Sequence, residues 1–264
     1  MKTALIRQPA GLGDILYMQS FIDDIARRGF RVIYPVIDHY YDSVTKNIET
    51  NNSNFIRVSD LPKDLLDVYL QTEEIISDDF EYYPFDCITD PTTESFRPEF
   101  SGLPVMEVKH AYYTSINPEY ERDNLLKNDW RDSVKLIRNF DREKAYQDLV
   151  GVCDDEDFIW VNRFFGTPPG VIYRDVDIED KNIRVVENDD KLTDVFDVCG
   201  VLENAKEIHT VDTCFSYLVE LLRTDADLHL YSRRKPTDEI NEDIDTVFGK
   251  TGYSSYKKKW NRHL

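Results

Sequence analysis

Apolar residues recur along this chain with two different periods, and the switches between them predict an α/β protein. Thr3–Arg7 reads as a short apolar strand that runs into the glycine turn Gly11-Leu12-Gly13-Asp14. Beyond it, Ile15, Met18, Phe21, Ile22, Ile25 and Ala26 fall on one helical face, and Gly29 stands where a C-terminal cap belongs. Arg31–Ile37 is then a second strand, rich in β-branched residues. A strand, a loop, a helix and another strand, joined by short connections, open a parallel, doubly wound sheet.

The pattern then loosens. Phe55–Val58 and Cys87–Thr89 read as short strands, and Pro62, Pro84, Pro91, Pro98 and Pro104, among many tyrosines, predict long loops. Asn128–Val150 is polar and helical in pattern, and Cys153–Asp157 makes an acidic turn. After it the first pattern returns. Phe158–Asn162, Asn182–Val186, Glu207–Val211 and Leu228–Tyr231 read as strands, Asp194–Leu202 and Phe215–Leu222 as helices, and Arg163–Gly170 as a loop. The chain is thus expected to form two α/β domains, 1–150 and 151–264. It shows neither a sequence repeat nor a low-complexity tract.

Composition narrows the classes. Of 264 residues, 41% are hydrophobic and 12% aromatic, which excludes global disorder. The 51 acidic against 32 basic residues leave a net charge of -19, which argues against tight general binding to nucleic acid or to an anionic membrane. The last sixteen residues depart from this balance: Lys250, Lys257, Lys258, Lys259 and Arg262 occur there with Tyr253, Tyr256 and Trp260, and with no acidic residue. Such a tail fits a C-terminal helix docked by its aromatics with solvated lysines, and it also fits a local patch for an anionic acceptor, nucleic acid included. No stretch approaches the ~18 apolar residues of a transmembrane helix, and the opening reads as a strand rather than a signal peptide, so a cytoplasmic location is expected. Cys87, Cys153, Cys199 and Cys214 show no C-x-x-C pattern and are expected to be reduced thiols. The five histidines are scattered with no pair at metal-ligand spacing, so no metal is expected.

Several residues could carry chemistry. Gly11 and Gly13 let the backbone come close to a ligand, and Asp14 sits in the first turn of the following helix, where it could equally be a cap. The turn is neither a complete G-x-G-x-x-G, since position 16 is Leu16, nor a P-loop. Val211-Asp212-Thr213-Cys214 joins a strand end to an apolar helix, the place where α/β sheets hold phosphates; capping by Asp212 or Thr213 is the alternative. Arg163 follows the strand that opens the second half and could neutralise a diphosphate, or pair with the abundant carboxylates. The same two readings apply to Arg174 and to Arg233-Arg234-Lys235.

The two motifs together resemble the GT-B glycosyltransferases, most closely the ADP-heptose:lipopolysaccharide heptosyltransferase group, glycosyltransferase family nine. That group opens with a strand, a Gly-Asp turn and a helix, as in LIRQPAGLGDILYMQSFIDDIARRGFRV. Its second domain carries a strand, Asp-Ser/Thr-Gly and a helix, as in EIHTVDTCFSYLVELL. Here Cys214 replaces the group's usual glycine and Tyr217 its frequent histidine, and the resemblance covers residues 1–37 and 194–232. It implies two Rossmann-like domains facing across a cleft, with the acceptor bound by the first and a nucleotide-diphosphate sugar by the second. It implies inverting, metal-independent transfer to an acceptor hydroxyl, with Asp14 as general base and Gly11 and Gly13 in the acceptor loop. The donor-binding residues would be Arg163, Asp212, Thr213 and Lys235. The acceptor would be a glycan or a hydroxymethylated DNA base, and the sugar nucleotide is a substrate, so no cofactor is expected. Two rivals stay open: a non-catalytic nucleotide-binding module, and an NAD-dependent dehydrogenase or epimerase with Asp38 at the end of the second strand to hold a ribose.

Overall fold

A computed structural model describes residues 2–8, 11–88, 105–118, 130–153, 156–165, 172–178, 182–188, 194–233 and 256–263. These fall into two compact units, one running to Lys135 and the other beginning at Leu136.

The first unit is built on β1 (Lys2–Ile6), whose Ala4, Leu5 and Ile6 are fully buried. The next elements are α1 (Leu12–Tyr17), α2 (Gln19–Arg27), β2 (Phe30–Val36), α3 (Asp38–Asn47), β3 (Ile48–Thr50), β4 (Ser53–Arg57), α4 (Lys63–Tyr69), β5 (Ile75–Ile76), β6 (Phe80–Tyr83) and α5 (Val105–Ile116). The sheet runs β4-β2-β1-β6-β5. The first four strands are parallel, with Ala4 opposite both Val32 and Glu81, and β5 pairs antiparallel to β6. The helical face expected after the glycine turn is present but shared by two helices that meet at Met18. Phe21, Ile22 and Ile25 are fully buried on it. Gly29, at φ +90°, ends α2 by donating its N–H to the Ala26 carbonyl at 2.9 Å, a left-handed close that a side chain would resist.

The second unit begins as β7 (Val134–Leu136) gives way to α6 (Phe140–Val150). It continues through β8 (Phe158–Asn162), β9 (Phe164–Phe165), β10 (Ile172–Tyr173), β11 (Arg184–Glu187), α7 (Cys199–Asn204), β12 (Glu207–Val211), α8 (Cys214–Leu221), β13 (Asp227–Tyr231) and β14 (Trp260–His263). Its sheet, β11-β8-β12-β13-β14, is parallel throughout. Every residue of β8 is buried, the pattern of a strand covered on both faces. One face carries Ile159, Val161, Val211 and Tyr231, against which Val176, Phe165, Ile178 and Ile183 pack.

Four expectations change. Cys87 and Ile88 of the expected strand Cys87–Thr89 lie in a turn, with Thr89 outside the described residues, and the strand beside β1 is Phe80–Tyr83, directly ahead of Pro84. The helix expected over 128–150 is shorter, starting at Phe140, because the Asn139 side chain accepts from the Arg142 N–H at 3.1 Å and caps it there. The helix expected from Asp194 begins as a 3₁₀ turn, Val195–Val198, with Asp194 as its cap, and becomes α-helical at Cys199. The tail does not form a docked helix in its described part: Trp260–His263 is a strand paired with β13, Leu228 opposite Trp260.

Candidate functional site

In the first unit the chain leaves β1 and turns at Gly11, whose φ of +83° and ψ of 97° suit glycine. A Cβ there would run into the Asp14 carboxylate. Asp14 lies in the first turn of α1 but makes no cap hydrogen bond. Its carboxylate is instead ion-paired with the Lys109 ammonium from α5. The lysine side chain is only 4% exposed and the aspartate 25%, so one member is sealed in and the other faces outward. Next to Lys109, His110 is hydrogen-bonded to the Tyr17 hydroxyl at the far end of α1, and its ring stands edge-on to Phe21. Tyr34 on β2 is fully buried below; burial, helped by the Asp14 charge, holds its hydroxyl well above the usual tyrosine range. Gly13 is buried inside α1. Nothing in the sequence pointed to Lys109, which lies 95 residues from its partner in a segment with a weak helical pattern.

In the second unit, polar groups gather just past the carboxyl ends of β8 and β12. Asn162 is fully buried; its Nδ2 donates to the Phe164 carbonyl at 3.0 Å and to the Thr210 hydroxyl at 3.2 Å, and its Oδ1 accepts from Asn188 at 2.9 Å. Thr213 is the N-cap of α8, so the capping role weighed for it is filled. The Ser216 hydroxyl donates to the Thr213 carbonyl at 2.6 Å. Asp212 accepts from the Tyr256 hydroxyl at 2.5 Å, and its carbonyl accepts from Arg233 at 2.6 Å. Burial and the Asp212 charge together raise the Tyr256 hydroxyl well above its ordinary pKa. The described tail is therefore docked: Trp260 donates to Glu220 at 2.8 Å, and the same carboxylate accepts from the Lys257 and Lys258 backbone N–H groups.

The two arginines after β8 differ sharply. Arg163 spends its guanidinium on Glu187 at 3.1 Å, Asp175 at 3.4 Å and the Val176 carbonyl at 2.6 Å. Arg174, whose backbone N–H donates to the Arg163 carbonyl at 2.8 Å, is 6% exposed. Its Nε and one terminal nitrogen are buried without a hydrogen-bond partner among the described residues. Burial lowers its pKa, and the nearby Tyr231 and Asp175 restore only part of the drop. A buried cation left in this state is costly, and an anion is what relieves it. Arg174 lies at the carboxyl edge of a parallel sheet, where α/β folds receive phosphates. Sequence reading put it in a group of ambiguous cations; burial without a partner is what singles it out. Lys235 lies outside the described residues. Asp38, the residue a dinucleotide site would use, opens α3, and its carboxylate accepts from the Ser59 N–H at 3.4 Å.

No family model matches the sequence, and no curated protein does. Solved structures do match. A glycosyl transferase of family nine from Veillonella parvula superposes with a TM-score of 0.52 at 10% identity, over 99% of this chain and 86% of that one. The E. coli heptosyltransferase WaaC with ADP gives 0.40 at 11% identity, over 89% and 88%. The same enzyme with ADP-2-deoxy-2-fluoro heptose gives 0.40 at 13%, over 90% and 91%. The first of these likenesses fixes the architecture: the chain has the α/β fold of two Rossmann-like domains, the GT-B fold.

Proposed function

We propose that this chain is a glycosyltransferase that moves a sugar from a nucleotide diphosphate to an acceptor hydroxyl, inverting the anomeric centre in one displacement. The observation that carries the reading is Arg174, a buried guanidinium at the carboxyl edge of the second sheet whose Nε and one terminal nitrogen have no hydrogen-bond partner among the described residues. The second domain holds the donor and the first the acceptor. The departing diphosphate gains negative charge as the glycosidic C–O bond breaks. Arg174 and the N–H groups opening α8, with Thr213 at its cap, supply the opposing charge without calling for a metal ion there. Asp14 removes the proton from the acceptor hydroxyl as that oxygen attacks the anomeric carbon. Lys109 holds the Asp14 carboxylate in place, and Gly11 lets the chain pass close beside it. In this role Arg163 is an organiser: its carboxylate pairs fix the loop from which Arg174 projects.

Trp260 is buried and the Tyr256 hydroxyl is tied to Asp212, so these two rings are poorly placed to stack on bases. That favours a glycan over a hydroxymethylated DNA base as acceptor. A thermal-shift screen against nucleotide sugars tests the proposal. A donor present at 100 times its Kd stabilises the protein by about 2.7 kcal/mol, a shift readily seen. Asp14→Asn should keep that shift and lose about 10²–10⁴-fold in transfer rate. If no nucleotide or nucleotide sugar moves the melting temperature, the proposal fails. If donors shift it but the wild type transfers nothing, the chain is a binding module.

A further inference from the structure

Three of the chain's five histidines, distant in sequence, meet on one face of the second sheet. Parallel pairing sets His209 of β12 opposite His229 of β13, and Tyr231 of β13 opposite His263 of β14. Strand alternation adds Glu207 to the same face. The His209 and His229 rings are stacked, 4.1 Å between centroids and 2° apart in plane. One ligand atom from each of Glu207, His209 and His229 lies within 4.8 Å of the others. We propose that these three residues bind a divalent transition-metal ion of the zinc type.

Two imidazoles and a carboxylate form a donor set that suits zinc. His209 is also steadied through its other nitrogen, as metal-bound histidines are. His209 Nδ1 lies 3.0 Å from the Tyr231 hydroxyl, and His229 Nδ1 lies 3.0 Å from His263 Nε2. With the Tyr231 O–H turned to the Asp177 carbonyl at 3.1 Å, its oxygen accepts from His209 Nδ1–H and leaves the Nε2 lone pair for an ion. That Nε2 lies 3.1 Å from Glu207 Oε2, so an imidazole nitrogen and a carboxylate oxygen already converge. Parallel stacked rings cannot aim at one ion as they stand, so His229 must turn about its outer torsion, exchanging its contact with His263 for the ion. That torsion is broad and the ring is only part-buried. Glu207 opens β12, which places the ion toward the amino ends of the strands, whereas Asn162, Arg174 and Thr213 lie past the carboxyl ends. The ion ties β12 to β13 and takes no part in sugar transfer.

The untagged full chain, stripped with a chelator and dialysed, is titrated with Co²⁺ and then Zn²⁺. The expected result is one equivalent of Co²⁺ with visible d–d bands, displaced by Zn²⁺, and a higher melting temperature with either ion. Glu207→Gln and His229→Asn should each weaken binding by more than about 100-fold, and Tyr231→Phe, which removes the supporting contact on His209, by about 10- to 100-fold. Far-UV circular dichroism of each metal-free variant checks that the sheet is intact. Absence of saturable one-equivalent uptake by folded wild type overturns the proposal. So does uptake that survives Glu207→Gln and His229→Asn unchanged, which would place the ion elsewhere.

Discussion

Arg174 and Lys109 are both buried cations, and they have opposite fates. Lys109 is neutralised by Asp14 within its own domain. Arg174 has no such partner among the described residues, so the folded chain bears a local penalty that a ligand would lift. Function and stability should therefore pull apart at this position. Arg174→Met removes the charge while keeping much of the side-chain volume, and should stabilise the protein by about 1 kcal/mol or more. The same change should weaken nucleotide-diphosphate binding at least tenfold. Chemical denaturation and a donor titration on one preparation read both effects; a destabilised variant with unchanged donor affinity would show Arg174 to be a structural residue. Sequence alone marked Asp14 and Thr213 as candidates, because glycine turns and strand-to-helix junctions have local signatures, and left Arg174 among several ambiguous cations. It could not reach Lys109. An ion pair between residues so far apart leaves no trace in spacing, and α5 carries too weak an apolar stripe to say which side faces in.

At the scale of elements, two central strands of the second sheet were readable to the residue. Phe158–Asn162 and Glu207–Val211 are β8 and β12 with the bounds the pattern gave. Phe80–Tyr83 was missed although it lies beside β1 in the sheet, since an aromatic run broken by Glu81 lacks both β-branching and alternation. That glutamate is buried because Arg28 meets it with two hydrogen bonds, at 2.6 and 2.7 Å, a compensation visible only in three dimensions. The tail misled for a related reason. Four residues, Trp260–His263, pair as a strand because β13 offers an edge, not because their own preferences demand it. Trp260 is the anchor: its ring packs at the sheet and its N–H donates to Glu220. Trp260→Ala should cost about 3 kcal/mol through the cavity and the hydrogen bond lost from Glu220 together. Urea unfolding followed by a probe in the second domain measures it, and a loss below about 1 kcal/mol would mean that β14 contributes little to the sheet.

For the whole molecule, two domains of one plan were legible from the order of elements, although no sequence repeat links them, because parallel sheets demand apolar bulk rather than particular side chains. The histidine cluster illustrates the same limit: strand pairing decides which distant residues meet. Burial also sorts the four cysteines, all of them free thiols. Cys87 and Cys199 are buried, and burial pushes the Cys214 thiol up to about 12, while Cys153 is exposed. A thiol reagent at pH 8 should therefore label Cys153 quickly, the part-exposed Cys214 slowly because its thiolate is scarce, and Cys87 and Cys199 only after denaturant is added; labelling of Cys214 as fast as Cys153 would mean that its thiol ionises readily. No described helix is long and apolar enough to cross a membrane. The order of strands in the second sheet carries one more consequence, for biosynthesis. The ribosome delivers β13 well before β14, so in the interval the growing polypeptide exposes the backbone edge of β13, with its unsatisfied N–H and C=O groups. During that wait the nascent domain is an open template for strand addition by a neighbouring chain, and a chaperone that shields sheet edges would matter most then.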